Sequence, residues 1–343
     1  MKRLLNTLYI TSSDRYLSLD GENVVVLAEQ KEVGRVPLHN LEAIVTFGFT
    51  GASPALMGAC AQRNVALSFL SHSGRFLARI SGEERGNVLL RKRQYGISED
   101  AAGSLDIAKS FIIGKIFNAR WVLERATRDH AMRVDTERLK KVSGQLKCSL
   151  ESVQKCASMD TLRGIEGEAA SLYFSVFDEL ILQQKEAFRF QGRNRRPPLD
   201  AINALLSFVY TLLTNMTASA LETVGLDPYV GFMHTDRPGR VSLALDLMEE
   251  LRPVFADRFV LSLINKRIVS PSGFYQKENG AVMMDDDTRK AVLSAWQSRK
   301  QEAIRHLFLE EKVEWGMVPY SQALLLARFI RGDLDAYPPF LWK

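Results

Sequence analysis

The 343-residue sequence contains few residues of the types that bind soft metals or form disulfides, with three cysteines and five histidines. Cys60, Cys148 and Cys156 form neither a zinc-type CxxC pair nor an even disulfide framework. They indicate reduced thiols in a cytoplasmic protein. No window approaches the roughly 18 apolar residues of a membrane span, and the N-terminus lacks the apolar core of a signal peptide. We therefore expect no membrane contact.

Positive charge is in excess, with a net charge of +5 and a pI near 9.0. Basic residues concentrate in residues 85–96, 120–141 and 189–200. In the second segment they alternate with glutamates, which is typical of a solvated helical face. The third has a loop composition and no balancing acid beside its arginines. Such a loop suits phosphate groups, so we expect nucleic-acid contacts from three residues: Arg193, Arg195 and Arg196.

The sequence predicts an α+β fold with a small N-terminal β domain in residues 1–95. Asp20-Gly21 lies between β-branched or alternating runs and predicts a hairpin, as does Ser73-Gly74. Ser53 followed by Pro54 predicts the start of a single helix within this half.

After residue 104 the apolar residues recur at three-and-four spacing, which predicts a larger all-α domain over residues 105–343. The polar, glycine-containing segment 96–104 is the predicted linker. The C-terminal "DAYPPFLWK" carries aromatic residues that either dock a partner or cap the helical core.

The segment "HTDRPGRVSLALDLMEE" gathers candidate metal ligands around a Pro-Gly turn. Asp246 and Glu249 are three residues apart in a predicted helix and share a face. Acids beside buried leucines require compensation. Either a divalent cation supplies it or nearby arginines do, and the turn brings His234 towards the same helix. The arginines in question are Arg237, Arg240 and Arg252.

A further acid, Glu166, lies in "RGIEGEAASLYFSVF", beside Glu168 and among small residues. Two interpretations fit this pattern: acids placed at a helix start by the macrodipole, or a helix that another backbone or a phosphate approaches closely. Carboxylates with one imidazole and no thiolate favour Mg²⁺ or Mn²⁺ over zinc. Together with the basic loops, these acids predict metal-dependent chemistry on nucleic acid.

Three segments and the β-rich start together resemble the CRISPR-associated integrase, protein one of the adaptation module. The segments are "LRGIEGEAASLYF", "RRPPLDAINALLSFVYTLL" and "GLDPYVGFMHTDRPGRVSLALDLMEELRPVFAD", and they occur in the family's order. The resemblance covers essentially the whole chain. It implies a prokaryotic, cytoplasmic homodimer assembled through the N-terminal β domains, with CRISPR-associated protein two and double-stranded DNA as partners.

The resemblance also implies an activity, the metal-dependent integration of spacer DNA by attack of a 3′-hydroxyl at a repeat boundary, with endonuclease activity in isolation. The family's metal-binding trio falls on Glu166, His234 and Glu249, and its additional active-site acid on Asp246. Many members have aspartate where Glu249 stands, and Glu250 next door is an alternative ligand. Two other functions stay open: a stand-alone nuclease of branched DNA in repair, and a DNA-binding scaffold whose acids only balance arginines.

Overall fold

The computed structural model describes residues 6–12, 14–48, 51–71, 74–80, 82, 88–194 and 197–343. A β-rich N-terminal region precedes a helical one, as the sequence predicted. The N-terminal region contains one helix, α1 (Pro54–Gln62), and eight strands in its described part: β1 (Thr7–Ile10), β2 (Arg15–Asp20), β3 (Asn23–Ala28), β4 (Lys31–Pro37), β5 (Ala43–Phe47), β6 (Gly51–Ala52), β7 (Ala66–Leu70) and β8 (Phe76–Arg79).

These strands form two four-stranded sheets. One has the order β4-β3-β2-β6, and the other has the order β1-β5-β7-β8. The predicted hairpin at Asp20-Gly21 joins β2 to β3, with Asp20 paired to Asn23. In the second sheet β1, β5 and β7 run parallel, and α1 connects the first sheet to β7. The helix begins as predicted, because the Ser53 hydroxyl accepts a hydrogen bond from the Leu56 N–H.

The second predicted hairpin is confirmed in its strands, since β7 pairs with β8 in antiparallel orientation, while Ser73 of its turn lies outside the described residues. The β1-β5-β7-β8 sheet is apolar on both faces. Ile44 and Leu67 face the β-region core, whereas Phe47 faces the helical core. There its ring lies 5.7 Å from that of Phe208, centre to centre. The two regions therefore share one continuous packing surface.

The helical region is built around α3, which is 29 residues long and packs on α4 and α5. The helices are α2 (Val88–Glu99), α3 (Ala101–Asp129), α4 (Thr136–Lys155), α5 (Met159–Ser175), α6 (Ala201–Thr223), α7 (Ser242–Met248), α8 (Arg258–Asn265), α9 (Asp286–Gln301) and α10 (Val318–Arg331). A π-helical segment, Arg252–Asp257, joins α7 to α8. Two β-hairpins that the sequence did not predict interrupt the helices: β9 (Phe274–Gln276) with β10 (Val282–Met284), and β11 (Ala303–Arg305) with β12 (Lys312–Glu314).

Two expectations need correction. The predicted linker, residues 96–104, is helical except at Asp100, whose side chain caps α3 by accepting a hydrogen bond from the Gly103 N–H. Helix α6 is long and apolar enough to cross a membrane, contrary to the expectation that no segment approaches this length. Of its most apolar window, 61% is buried inside the protein, so α6 packs as a core helix.

Lys300 joins the helical region to the β region. This fully buried lysine donates hydrogen bonds to Thr7 Oγ1 at 2.9 Å and Glu42 Oε2 at 3.3 Å. Burial lowers the pKa of Lys300, although Glu42 opposes that effect.

Removing Glu42 is expected to cost more stability than removing the buried charge of Lys300. Glu42→Ala leaves an uncompensated ammonium in the core and is expected to lower the free energy of unfolding by about 2 kcal/mol. Lys300→Met keeps an apolar side chain of similar length, so a loss below about 1 kcal/mol is expected. Urea denaturation measures both, and a larger loss for Lys300→Met would contradict this ranking.

Candidate active site

The candidate site lies where α3 crosses the turn that follows α7. Gly114 of α3 makes this crossing possible: a Cβ there would lie 2.7 Å from Glu250 Cβ and 3.3 Å from Pro339 Cβ. These distances are too short for any side chain at position 114 without a shift of the neighbouring chain. The close approach places Lys115, the next residue on α3, beside Glu249.

Two carboxylates meet at the Lys115 ammonium. Its Nζ contacts Glu166 Oε1 on α5 and lies 2.7 Å from Glu249 Oε2 at the end of α7. The other oxygen of Glu249 pairs with Arg252 Nη2 at 3.1 Å. Glu249 Oε2 is buried, and its contact with Lys115 is a close ion pair. The site therefore gathers two acids around one cation.

The charges of this cluster stabilise one another. Burial acts to raise the pKa of Glu249, but Arg252 and then Lys115 outweigh it and hold that pKa at about 2. Burial acts to lower the pKa of Lys115, but Glu249 and Glu166 outweigh it and raise that pKa. Glu249 is therefore ionised and Lys115 protonated throughout the neutral range.

His234 is oriented by Asp246. The fully buried Asp246 carboxylate accepts hydrogen bonds from the backbone N–H groups of Phe232, Met233 and His234, at 2.7–3.0 Å. Its Oδ1 also lies 2.5 Å from His234 Nδ1. With the Nδ1 proton directed at this carboxylate, Nε2 presents a free lone pair, which is the arrangement of a metal-ligating histidine. Asp246 faces the loop and the imidazole rather than open space, so it positions His234.

The turn between this loop and α7 forms as the sequence predicted. Arg240 N–H donates to the Arg237 carbonyl at 3.0 Å across Pro238 and Gly239, and Gly239 adopts a φ of 74° that favours glycine.

The predicted trio of metal ligands is only partly assembled. Glu166 and Glu249 meet at one cation, and His234 lies close enough to lower the pKa of Glu249. Among the described residues, however, no three His, Cys, Asp or Glu side chains are close enough to hold an ion as placed.

Glu250 points away from this cluster and into the C-terminal tail, which here means residues 332–343. Its carboxylate accepts hydrogen bonds from Tyr337 Oη at 2.5 Å, Gln322 Nε2 at 3.0 Å and the Phe340 N–H at 2.7 Å. Burial raises the pKa of Glu250 to about 7. Glu249 alone of the two faces Lys115 and Glu166, which favours it as the ligand.

The C-terminal tail caps the helical core. Asn118 of α3 donates to the carbonyls of Glu250 and Phe340, and its own amide oxygen accepts the Trp342 N–H. The guanidinium carbons of Arg125 and Arg258 lie 4.0 and 4.1 Å from the centre of the Trp342 ring. The sequence left two roles for the aromatic residues of the tail, docking a partner and capping the helical core. The structure shows them capping the core.

Glu166 lies in the middle of α5, not at its start. The helix begins after Ser158, whose hydroxyl accepts the Thr161 N–H. The macrodipole therefore does not account for Glu166. No other backbone of the described chain approaches the glycines, because a Cβ on Gly164 or Gly167 would have none of its atoms within 4 Å; the approach of a phosphate stays a prediction.

The predicted DNA-binding arginines fall into three groups. Arg193 and Arg252 line a cavity of about 390 Å³ beside Glu166 and Lys115, and both guanidinium groups lie over the Tyr210 ring. Arg237 and Arg240 belong to the turn ahead of α7, where Arg237 is exposed and Arg240 is partly buried. Arg195 and Arg196 lie outside the described residues.

Sequence reasoning missed Lys115 entirely. The signal is present in "FIIGKIFNA", because the buried Phe111, Ile112, Ile116 and Ala119 define a core stripe on α3 and Lys115 falls within it. A charged residue on an apolar stripe requires a buried partner, and here the partners are two acids.

Comparison with known proteins identifies the family and the fold. A family model described as CRISPR associated protein Cas1 matches residues 8–298. The CRISPR-associated endonuclease Cas1 1 of Chlorobaculum tepidum is 51% identical over 343 residues, covering all of both chains. A casposase bound to integration product has the same fold with a TM-score of 0.84 at 22% identity, covering 98% of this chain and 94% of the other. A Cas6-RT-Cas1–Cas2 complex matches with a TM-score of 0.81 at 21% identity, covering 100% of this chain and 36% of the other.

The family match spans most of the chain, and the curated relative matches it over its full length at more than half identity. The fold is that of solved Cas1-type structures. The protein belongs to the CRISPR-associated endonuclease Cas1 family.

Proposed function

We propose that this protein is a metal-dependent DNA integrase and endonuclease that inserts new spacer DNA into a CRISPR array. The observation that carries the proposal is the convergence of Glu166 Oε1 and Glu249 Oε2 on one cation. An imidazole oriented by Asp246 lies nearby, and arginines line the adjoining cavity. The casposase neighbour is described as bound to integration product, which supports joining as well as cleavage.

The residues fit a hard divalent ion. Glu249 Oε2 is buried beside the Lys115 ammonium, and with Glu166 Oε1 and His234 Nε2 it offers the donor types that such an ion prefers, oxygen-rich with one nitrogen. Glu166, His234 and Glu249 would hold the ion. Bound there, Mg²⁺ or Mn²⁺ lowers the pKa of a hydroxyl nucleophile and neutralises charge on the attacked phosphate.

The chain's own residues bind and orient the two DNA segments. Asp246 holds the His234 ring in one orientation, and Arg193 and Arg252 supply positive charge for phosphates beside the acids. The 3′-hydroxyl oxygen of the incoming fragment forms a new bond to phosphorus as the bond to the original 3′ oxygen breaks. The proton lost by the attacking hydroxyl is matched by one gained at the leaving oxygen. One phosphodiester replaces another, so no external energy source is required.

The partners proposed for this reaction are double-stranded DNA, a second copy of the chain and CRISPR-associated protein two. The neighbouring Cas1–Cas2 complex supports the last of these. The N-terminal region, residues 1–95, is the proposed dimerisation surface, and residues 105–343 are the proposed catalytic domain. The reduced thiols of all three cysteines agree with a cytoplasmic location.

A joining assay tests the proposal. A repeat-containing plasmid is incubated with CRISPR-associated protein two, Mg²⁺ or Mn²⁺ and a labelled DNA fragment. Label is expected to enter the plasmid at the repeat boundary, and chelation of the metal is expected to abolish it. A fragment with a 3′-dideoxy end is the control, because it lacks the attacking hydroxyl and should not join.

Two results would contradict the proposal. Plasmid cleavage without joining, in the presence of CRISPR-associated protein two and the labelled DNA fragment, favours the stand-alone nuclease of branched DNA. Equal product with and without chelator removes the metal-dependent step, and the absence of any cleaved or joined product in either condition leaves the DNA-binding scaffold.

A further inference from the structure

Lys115 occupies the place where the two candidate metal ligands meet. Its side chain is largely buried, and its Nζ contacts Glu166 Oε1 and lies 2.7 Å from Glu249 Oε2. The residue sits on the core stripe of α3, and Gly114 fixes its distance from the α7 turn. The ammonium therefore cannot reach the protein surface without losing its contacts with both acids.

The buried carboxylate of Glu249 and the partly buried one of Glu166 contact the same ammonium, and they repel each other unless a cation lies between them. Arg252 pairs directly with Glu249 Oε1, at 3.1 Å, and acts on Glu166 only through space, so the facing oxygens of Glu166 and Glu249 have Lys115 as the cation they both contact. These facing oxygens are also the donors that a divalent ion would use. An ammonium and a metal ion cannot both occupy the space between them.

The contact is also of a kind that can be exchanged. Lys115 contacts Glu249 Oε2 as a single positive charge at 2.7 Å, and a divalent ion offers the same oxygen a larger charge. The cavity of about 390 Å³ borders Lys115 directly and gives the flexible lysine side chain space to move.

From these contacts we propose that Lys115 is a tethered counter-cation that competes with the divalent ion for Glu166 and Glu249. It keeps the acids together when no ion is bound and is displaced towards the cavity when one binds. Lys115 thereby sets the metal affinity of the site. The inference rests on the proposed function, since it assumes that Glu166 and Glu249 are metal ligands.

The test is a titration of Mn²⁺ into metal-free, full-length protein without DNA, followed by calorimetry. Lys115→Met is expected to bind Mn²⁺ at least about tenfold more tightly than wild type, because the competing positive charge is gone. Lys141→Met, which removes an exposed lysine from α4, is the matched control and is expected to bind like wild type. Unchanged or weaker binding by Lys115→Met would overturn the proposal.

Lys115→Arg provides a second, independent test if the neutral variant does not fold without metal. A guanidinium holds two carboxylates through several directed hydrogen bonds, so Mn²⁺ binding is expected to weaken several-fold. An affinity equal to that of wild type would contradict competition. Thermal unfolding adds a readout: the melting temperature of Lys115→Met is expected to fall below that of wild type without metal and to recover in saturating Mn²⁺.

Failure of the metal site itself gives a different result. If wild type and Glu166→Gln bind Mn²⁺ equally, Glu166 is not a ligand and the proposed function fails. If Glu166→Gln binds more weakly but Lys115→Met does not bind more tightly, only the role of Lys115 fails.

Discussion

Replacing Glu166 with glutamine is expected to slow both DNA cleavage and strand joining by about a hundredfold to a thousandfold. The substitution keeps the size of the side chain but removes one of the two charges that meet at Lys115. Loss of one preorganised charged group of this kind raises a reaction barrier by about 3–4 kcal/mol. Single-turnover rates in Mg²⁺ and in Mn²⁺ measure the effect on chemistry apart from DNA binding.

Glu168→Gln is the matched control for this prediction. Glu168 is an exposed acid two residues further along the same helix, so its loss changes the net charge equally and leaves the site intact. Its rates are expected to stay within about twofold of wild type, as is usual for surface substitutions. If Glu166→Gln retains the wild-type rate in both metals, the acids only balance basic residues and the scaffold interpretation holds.

Replacing Glu250 with alanine is expected to lower the free energy of unfolding by about 4 kcal/mol. The Tyr337 hydroxyl and the Phe340 N–H lose their acceptor at once, and Gln322 Nε2 loses one of its three. An unsatisfied buried donor costs about 1–3 kcal/mol, and the shortened side chain adds a cavity. The denaturation midpoint of the helical region, followed by circular dichroism in urea, measures this loss.

Tyr337→Phe separates the hydrogen bonds from the cavity. It removes one donor, the Tyr337 hydroxyl, and keeps the ring packed against Phe111, so a loss of about 1–2 kcal/mol is expected. Glu151→Ala, at an exposed position on α4, is the control and should change stability by less than about 0.5 kcal/mol. If Glu250→Ala were as stable as Glu151→Ala, the tail would not be anchored by this carboxylate.

The local signals in the sequence were sufficient where a few neighbouring residues decide the conformation. Ser53 with Pro54 begins α1, Asp20-Gly21 closes a hairpin, and Pro238-Gly239 forms the turn ahead of α7. Each of these depends on a cap, a dihedral preference or a missing N–H group that adjacent residues determine.

The features that were missed depend on residues distant in the sequence. Residues 96–104 have a loop-like composition, but they are helical because α2 and α3 pack on the core. The parallel pairing of β1, β5 and β7 brings together strands that are not consecutive. Burial reveals these arrangements, whereas composition does not.

The candidate site likewise combines features that the sequence predicted with features that depend on residues distant in the chain. Motif resemblance placed Glu166, His234 and Glu249 in one site, and the structure brings the two glutamates to a common cation. The sequence could not distinguish Glu249 from Glu250 as the ligand, because the tail residue whose N–H binds Glu250 is some 90 residues away. Asp246 was predicted as an additional active-site acid, and its three backbone hydrogen bonds became visible only with the loop folded around it.

The glycine at position 114 has a consequence for how this family member can vary. A single methyl group there would act as a wedge between α3 and the residues around Glu250 and Pro339. The displacement would reach Lys115 and Glu249 together, since each adjoins one side of the crossing. Evolution can exchange the apolar residues around this point for others of similar volume, but a side chain at residue 114 requires the chain around Glu250 to move.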